Sequence, residues 1–166
     1  NQLMLNTKVS SIVKLNESYK ITLNKGEDII CKNIISTIPA YSLKDIVFDD
    51  KLKNVLSKVN YNPIDVFHFG FDIDALEIKI DGFGLLTKPQ DRKSFLGVLF
   101  SSNIFEHVSN DKKFLITVLA GGDRQKDLCK KSPKFIERQI LNEILPLLRL
   151  RSEPEFKNHF RWFKGI

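Results

Sequence analysis

Cysteine is scarce in these 166 residues: Cys31 and Cys129 are the whole complement. Two cysteines are too few for a disulfide scaffold or a metal cluster, and they suit a reducing cytoplasm. Arginine is also scarce, six residues against twenty lysines, although arginine dominates specific phosphate and base contacts. No apolar run approaches about 18 residues, so nothing reads as a membrane-spanning helix. No basic-then-apolar leader opens the sequence, which starts at Asn1 rather than Met; the expectation is an excised piece of something longer. His68, His107 and His159 lie far apart, with no cysteine or carboxylate at metal-ligand spacing, which argues against zinc. No G-x-S-x-G elbow or Cys/His signature supports a hydrolase nucleophile. Gly82-Phe83-Gly84 and Gly121-Gly122 lack the downstream Lys-Ser/Thr of a phosphate loop and the third glycine of a dinucleotide fingerprint.

What is present is an ordinary globular composition, 42% hydrophobic and 28% charged. It suits one domain, or one domain and part of another, and excludes a disordered tail or a collagen-like repeat. The net charge of +6 is uneven. Residues 1–60 carry nine basic and six acidic side chains, residues 61–111 four and eight, and residues 112–166 thirteen and six. A basic last third can meet nucleic acid, anionic lipid or an anionic small molecule. Its lysine-rich makeup reads more simply as solvated surface, and no nucleic-acid partner is expected.

Local pattern predicts a strand-rich chain. Val9 to Leu15 and Tyr19 to Leu23 flank the turn Asn16-Glu17-Ser18, and Asn24-Lys25-Gly26 precedes Asp28 to Cys31. Asn33 to Ile38 reads as a further short strand ended by Pro39. Beyond it the pattern turns helical, with Leu43, Ile46 and Val47 on one face and Leu52, Val55, Leu56 and Val59 repeating. From Ile64 the period is two: Phe67, Phe69 and Phe71 face a core while Val66, His68 and Gly70 face the other way. His68 reads as a structural or pocket-edge histidine. Residues 72–81 read as acidic and exposed. A Gly-rich loop around Gly82 and Gly84 leads to strands at Phe95 to Phe100 and Phe114 to Ala120, joined by the long connection 101–113. Ser132-Pro133 caps the clearest helix, expected to end near Leu145 before Pro146. Glu155 to Trp162 alternates loosely as one more strand. The fold class expected is α+β, a mixed, mainly antiparallel sheet with flanking helices.

Three runs carry a family resemblance: Asp81-Gly82-Phe83-Gly84-Leu85-Leu86; Leu96-Gly97-Val98-Leu99-Phe100-Ser101-Ser102-Asn103-Ile104-Phe105; and Leu115-Ile116-Thr117-Val118-Leu119-Ala120-Gly121-Gly122. They resemble the GFGxLxP, LGxxxxSxxFP and LTVxxGG runs of the FAD-dependent protoporphyrinogen oxidase family. Val9 with Ile12, then Ile34 to Ala40, resembles the corresponding run of the wider amine-oxidase group of flavoproteins. Arg161 to Ile166 resembles the start of its W-x-x-A-I-P-Q-Y. The sequence departs at Lys88-Pro89, Glu106-His107, Asp123 and Gly165.

The resemblance implies domains at 1–42 (partial FAD-binding), 43–154 (substrate-binding sheet and helices) and 155–166 (start of the return to the FAD domain). It implies oxidation of protoporphyrinogen IX to protoporphyrin IX in haem biosynthesis, with FAD as cofactor and oxygen as acceptor. It assigns Phe83, Gly84, Leu86, Leu99 and Leu119 to the tetrapyrrole, and Val9, Pro39 and Ala40 to the cofactor; no catalytic or metal-binding residue is assigned. Phe95, Gly97 and Leu99 would share a strand face, as would Leu115, Thr117 and Leu119. Gly84 would let the backbone approach the substrate. The piece alone is expected to be inactive, to hold no FAD, and to depend on the remainder of the parent chain. Coproporphyrinogen III oxidation, another amine-oxidase-type flavoenzyme and a non-enzymatic β-rich binding module are the alternatives. Cytoplasmic location with peripheral contact at the inner membrane is a further expectation.

Overall fold

The computed structural model describes residues 3–110 and 112–166. They group into two compact units, Asn1–Asn60 and Tyr61–Ile166. In the first unit, β1 (Val9–Lys14), β2 (Tyr19–Leu23) and β3 (Asp28–Cys31) form an antiparallel sheet in that order. The predicted turns close both hairpins, with Leu15 donating to the carbonyl of Ser18 at 2.8 Å and Gly26, at φ +81°, donating to Leu23 at 3.0 Å. Two short helices follow, α1 (Ala40–Leu43) and α2 (Asp50–Ser57). Asp49 caps α2 by accepting from the amides of Lys51 and Leu52. Ile46 and Val47 leave the predicted helical face: Ile12 donates to Ile46 at 2.7 Å, and Val47 bridges Ile12 in parallel.

The apolar run at 33–38 is not a strand. β-branched residues become a strand only when a neighbouring edge takes up their backbone groups. β3 ends at Cys31, and the run continues unpaired to Pro39 with Ile35 93% exposed.

The second unit is built on β4 (Ile64–Asp72), β5 (Gly84–Leu86), β6 (Gly97–Leu99), β7 (Lys113–Gly121) and β8 (Phe156–Trp162), in the order β5-β6-β7-β4-β8 with every pair antiparallel. Phe67, Phe69 and Phe71 are fully buried, with Phe114, Ile116 and Val118 of β7 and Ile136, Ile140 and Ile144 of α4 (Pro133–Leu147). One face of the sheet is thereby covered. Ser132 accepts from the amide of Phe135 at 3.3 Å, with Pro133 at the first helical position, as the sequence predicts. Ser132→Ala is expected to lower stability by about 1 kcal/mol, read from the midpoint shift in urea.

Three local expectations fail for identifiable reasons. α4 runs to Leu147 with Pro146 inside its last turn. Arg149 at φ +51° closes the end, as Leu150 donates to Leu145 and Arg149 to Pro146, a Schellman arrangement that does not need the missing proline amide. Phe95 does not share a face with Gly97 and Leu99, because regular pairing in β6 starts only at Gly97 and Phe95 turns into the core. The Gly-rich loop contains β5, and the 101–113 connection contains α3 (Ser101–Ile104), with Asp111 outside the described residues.

The two units meet between Asn60 and Tyr61. α1 and α2 group with the first sheet, and β8 is an integral edge of the second. Among the described residues no helix is long and apolar enough to cross a membrane.

Candidate functional site

Directly paired residues of an antiparallel sheet share a face, so the register of the second sheet defines its uncovered side. Leu86, Gly97, Leu119, Val66 and Phe160 form one row across all five strands. Gly84, Leu99, Thr117, His68 and Asn158 form the next, and Leu115, Gly70 and Phe156 a third. Trp162 extends the face beyond Phe160, their rings 4.7 Å apart. Leu86 is 86% exposed and Leu99 42%, while Phe156, Phe160 and Trp162 are each more than half exposed. A large apolar face left open in this way marks a binding surface.

The sequence-derived substrate residues are thus brought together. Leu86 and Leu119 lie in the first row with Gly97 between them, and Gly84 and Leu99 lie side by side in the second. A side chain at Gly97 would come within 2.8 Å of Leu86, so the glycine leaves room for that leucine. Phe83 stands just outside β5, 75% exposed, its carbonyl accepting from Phe100. Gly84 has a structural reason of its own: at φ +154° its Cβ would overlap the carbonyl oxygen of Val98, so the backbones of β5 and β6 approach closely here. The aromatic residues of β8 were not among the candidates. Their signal in the sequence is the alternation Phe156, Asn158, Phe160, Trp162.

The middle row is polar. His68 Nδ1 lies 2.9 Å from Thr117 Oγ1, which lies 2.7 Å from Ser101 Oγ. On the covered face, Asp65 is fully buried. Arg161 grips it with Nε at 2.8 Å and Nη2 at 3.1 Å, and His159 Nε2 lies 2.5 Å away. Burial pushes the Asp65 carboxyl up, but hydrogen bonds from Arg161, His159 and Cys129 outweigh it and hold it below the usual carboxylate range. Burial, then Asp65 beside it, pushes the Cys129 thiol up to about 11. This cluster ties β8 to β4.

In the first unit, Val9 and Pro39 line one groove of about 540 Å³ with Ile12, Ile34, Ile35 and Ile38. Ala40 opens α1 beside it.

The sequence profile of the flavin-containing amine oxidoreductases matches residues 1–165. The chain belongs to that family. Within it, the chain is 30% identical to protoporphyrinogen oxidase of Dictyostelium discoideum over 99% of its own length and 36% of the relative's. It is 32% identical to protoporphyrinogen oxidase 2, chloroplastic/mitochondrial, of Arabidopsis thaliana over 68% of its length and 23% of the relative's. The chain therefore spans about a third or less of these curated relatives. Cyclohexylamine oxidase of Brevibacterium oxydans IH-35A shares the fold with a TM-score of 0.66 at 10% identity, over 93% of this chain and 34% of that one.

Members of this family carry a flavin, and the groove in the first unit is the apolar recess beside Val9, Pro39 and Ala40. Its isoleucine and proline side chains are of a chemistry that accepts an apolar ring. α2 offers no phosphate cradle, because it opens on the carboxylates of Asp49 and Asp50, which oppose an anion at that terminus.

Proposed function

We propose that this chain supplies the substrate-binding wall of an FAD-dependent protoporphyrinogen oxidase. The observation that carries the reading is the open apolar face of the second sheet. Its first row crosses four interstrand gaps, about 19 Å, which is broad enough for a four-ring macrocycle. The names of the two curated relatives support the choice of substrate.

A bound FAD would supply the electron acceptor for hydride leaving the macrocycle, with oxygen as the terminal oxidant. The residues of this chain bind and orient. Leu86, Leu99 and Leu119, with Phe83 at the rim, hold the ring by dispersion and by removing apolar surface from water. The rows that hold these leucines carry no carboxylate or ammonium group, the Asp72–Lys113–Glu155 ion pairs lying at the far end of the same face, which suits a reaction whose hard chemistry belongs to the cofactor. Val9, Pro39 and Ala40 border the FAD in the same proposal, with the groove walls taking the planar part and residues outside this chain the diphosphate. The isolated chain then retains little flavin and no turnover. The basic excess of residues 112–166 makes peripheral contact with an anionic membrane surface a further part of the proposal, read by liposome cosedimentation.

The test is anaerobic mixing followed by oxygen exposure of the complete gene product with protoporphyrinogen IX, coproporphyrinogen III and a primary amine in parallel. Porphyrin fluorescence should develop fastest from protoporphyrinogen. Oxidation of the amine with both porphyrinogens inert would overturn the reading.

A further inference from the structure

Among the described residues His68 is the one imidazole on the open sheet face, in a polar row between two apolar ones, and the sheet places it near the middle. Val66 and Gly70 flank it along β4, Thr117 and Asn158 flank it across the strands, and Leu99 lies beyond Thr117. The ring is not free to turn. Its Nδ1 meets Thr117 Oγ1, and that hydroxyl meets Ser101 Oγ at the start of α3. When Nδ1–H donates to Thr117, the hydroxyl of Thr117 is left to donate to Ser101, and Nε2 becomes a bare acceptor. No protein group among the described residues bonds Nε2, and no buried side-chain nitrogen or oxygen among them lacks a partner. Nε2 therefore reaches solvent on the open face.

A tetrapyrrole has the complementary layout, with N–H groups at its centre and a hydrocarbon rim. In a porphyrinogen the saturated bridges let the pyrrole rings tilt, so that N–H groups lean out of the mean plane towards one acceptor. In the aromatic product the remaining N–H groups lie in the plane and are withdrawn from it. We infer that His68 sits beneath the centre of the bound macrocycle and accepts a hydrogen bond from a pyrrole N–H through Nε2, favouring the reduced substrate over the oxidised product. This rests on the reading of the face as a tetrapyrrole wall. It adds the residue that reads the oxidation state of the ring, with Thr117 and Ser101 as its positioning residues.

Two probes test it on the full chain. Ferric protoporphyrin IX reports position: bound over His68, it should show the absorption spectrum of imidazole-ligated iron, and His68→Ala should abolish that spectrum. Metal-free protoporphyrin IX reports occupancy through quenching of Trp162, and protoporphyrinogen IX kept under reductant should displace it. His68→Ala should require about threefold to tenfold more porphyrinogen for displacement, the value of one hydrogen bond, with affinity for protoporphyrin itself little changed. His68→Gln, which keeps an acceptor, should restore most of the loss. Saturable quenching with an iron spectrum indifferent to His68→Ala, or equal displacement in wild type and His68→Ala, overturns the role of His68 and leaves the wall intact. Absence of quenching by either porphyrin overturns the wall, and His68 with it.

Discussion

Asp65→Ala is expected to cost about 3–5 kcal/mol of stability, the range for removing one partner of a buried ion pair. The reason lies in what stays behind. Arg161 and His159 are only 17% and 21% exposed, and both direct nitrogen at the lost carboxylate. They face it because β4 pairs β8 with Asp65 opposite Arg161 and Phe67 opposite His159. The His159 ring also packs on Phe67, centroids 4.6 Å apart, so it cannot swing out to water without uncovering the core. Asp65→Asn keeps the shape and should lose somewhat less. The pH dependence has a definite sign. The folded Asp65 titrates below its unfolded value, so its contribution is complete above about pH 4, the unfolded carboxylate pKa. It is lost as pH falls through the folded value. Urea unfolding followed at Trp162 measures both effects, and a loss under about 1 kcal/mol would mean that water relieves the stranded Arg161 and His159 side chains.

Leu119→Asp is expected to weaken tetrapyrrole binding on the order of a hundredfold. Leu119 sits on the open face between Gly97 and Val66 and is partly exposed, so a carboxylate there reaches water in the free protein and folding should survive. Under a bound macrocycle the same carboxylate must shed its water, at a cost of at least about 2–3 kcal/mol. Its charge also opposes the propionates. Leu147→Asp, on exposed helix surface away from the face, is the control. Affinity in Leu119→Asp within threefold of wild type, with the fold intact, would place the ligand elsewhere.

What the sequence made legible was whatever depends on neighbours along the chain. The alternation of β4 separates Phe67, Phe69 and Phe71 from His68, and Ser132-Pro133 marks the start of α4. Both signals are complete within a few residues. The extended run at 33–38 misled because strand propensity gives no information about a partner edge. Phe95 misled because alternation holds only where the ladder continues. The candidate face was legible as separate leucines, whereas its rows needed the register of five strands. His68 meets Thr117 across 49 residues and Asp65 meets Arg161 across 96; no local pattern announces such pairings. The aromatic edge of β8 is similar, because Phe156, Phe160 and Trp162 acquire meaning only when β8 is laid beside β4.

Trp162, the single tryptophan of these 166 residues, lies at the margin of the proposed wall, so this chain carries its own reporter. Titration with protoporphyrin IX should quench its emission saturably in the wild type, with the curve displaced far to higher concentration in Leu119→Asp and unmoved in Leu147→Asp. Quenching that rises linearly without saturation and is identical in all three proteins would contradict the assignment of this face to a tetrapyrrole.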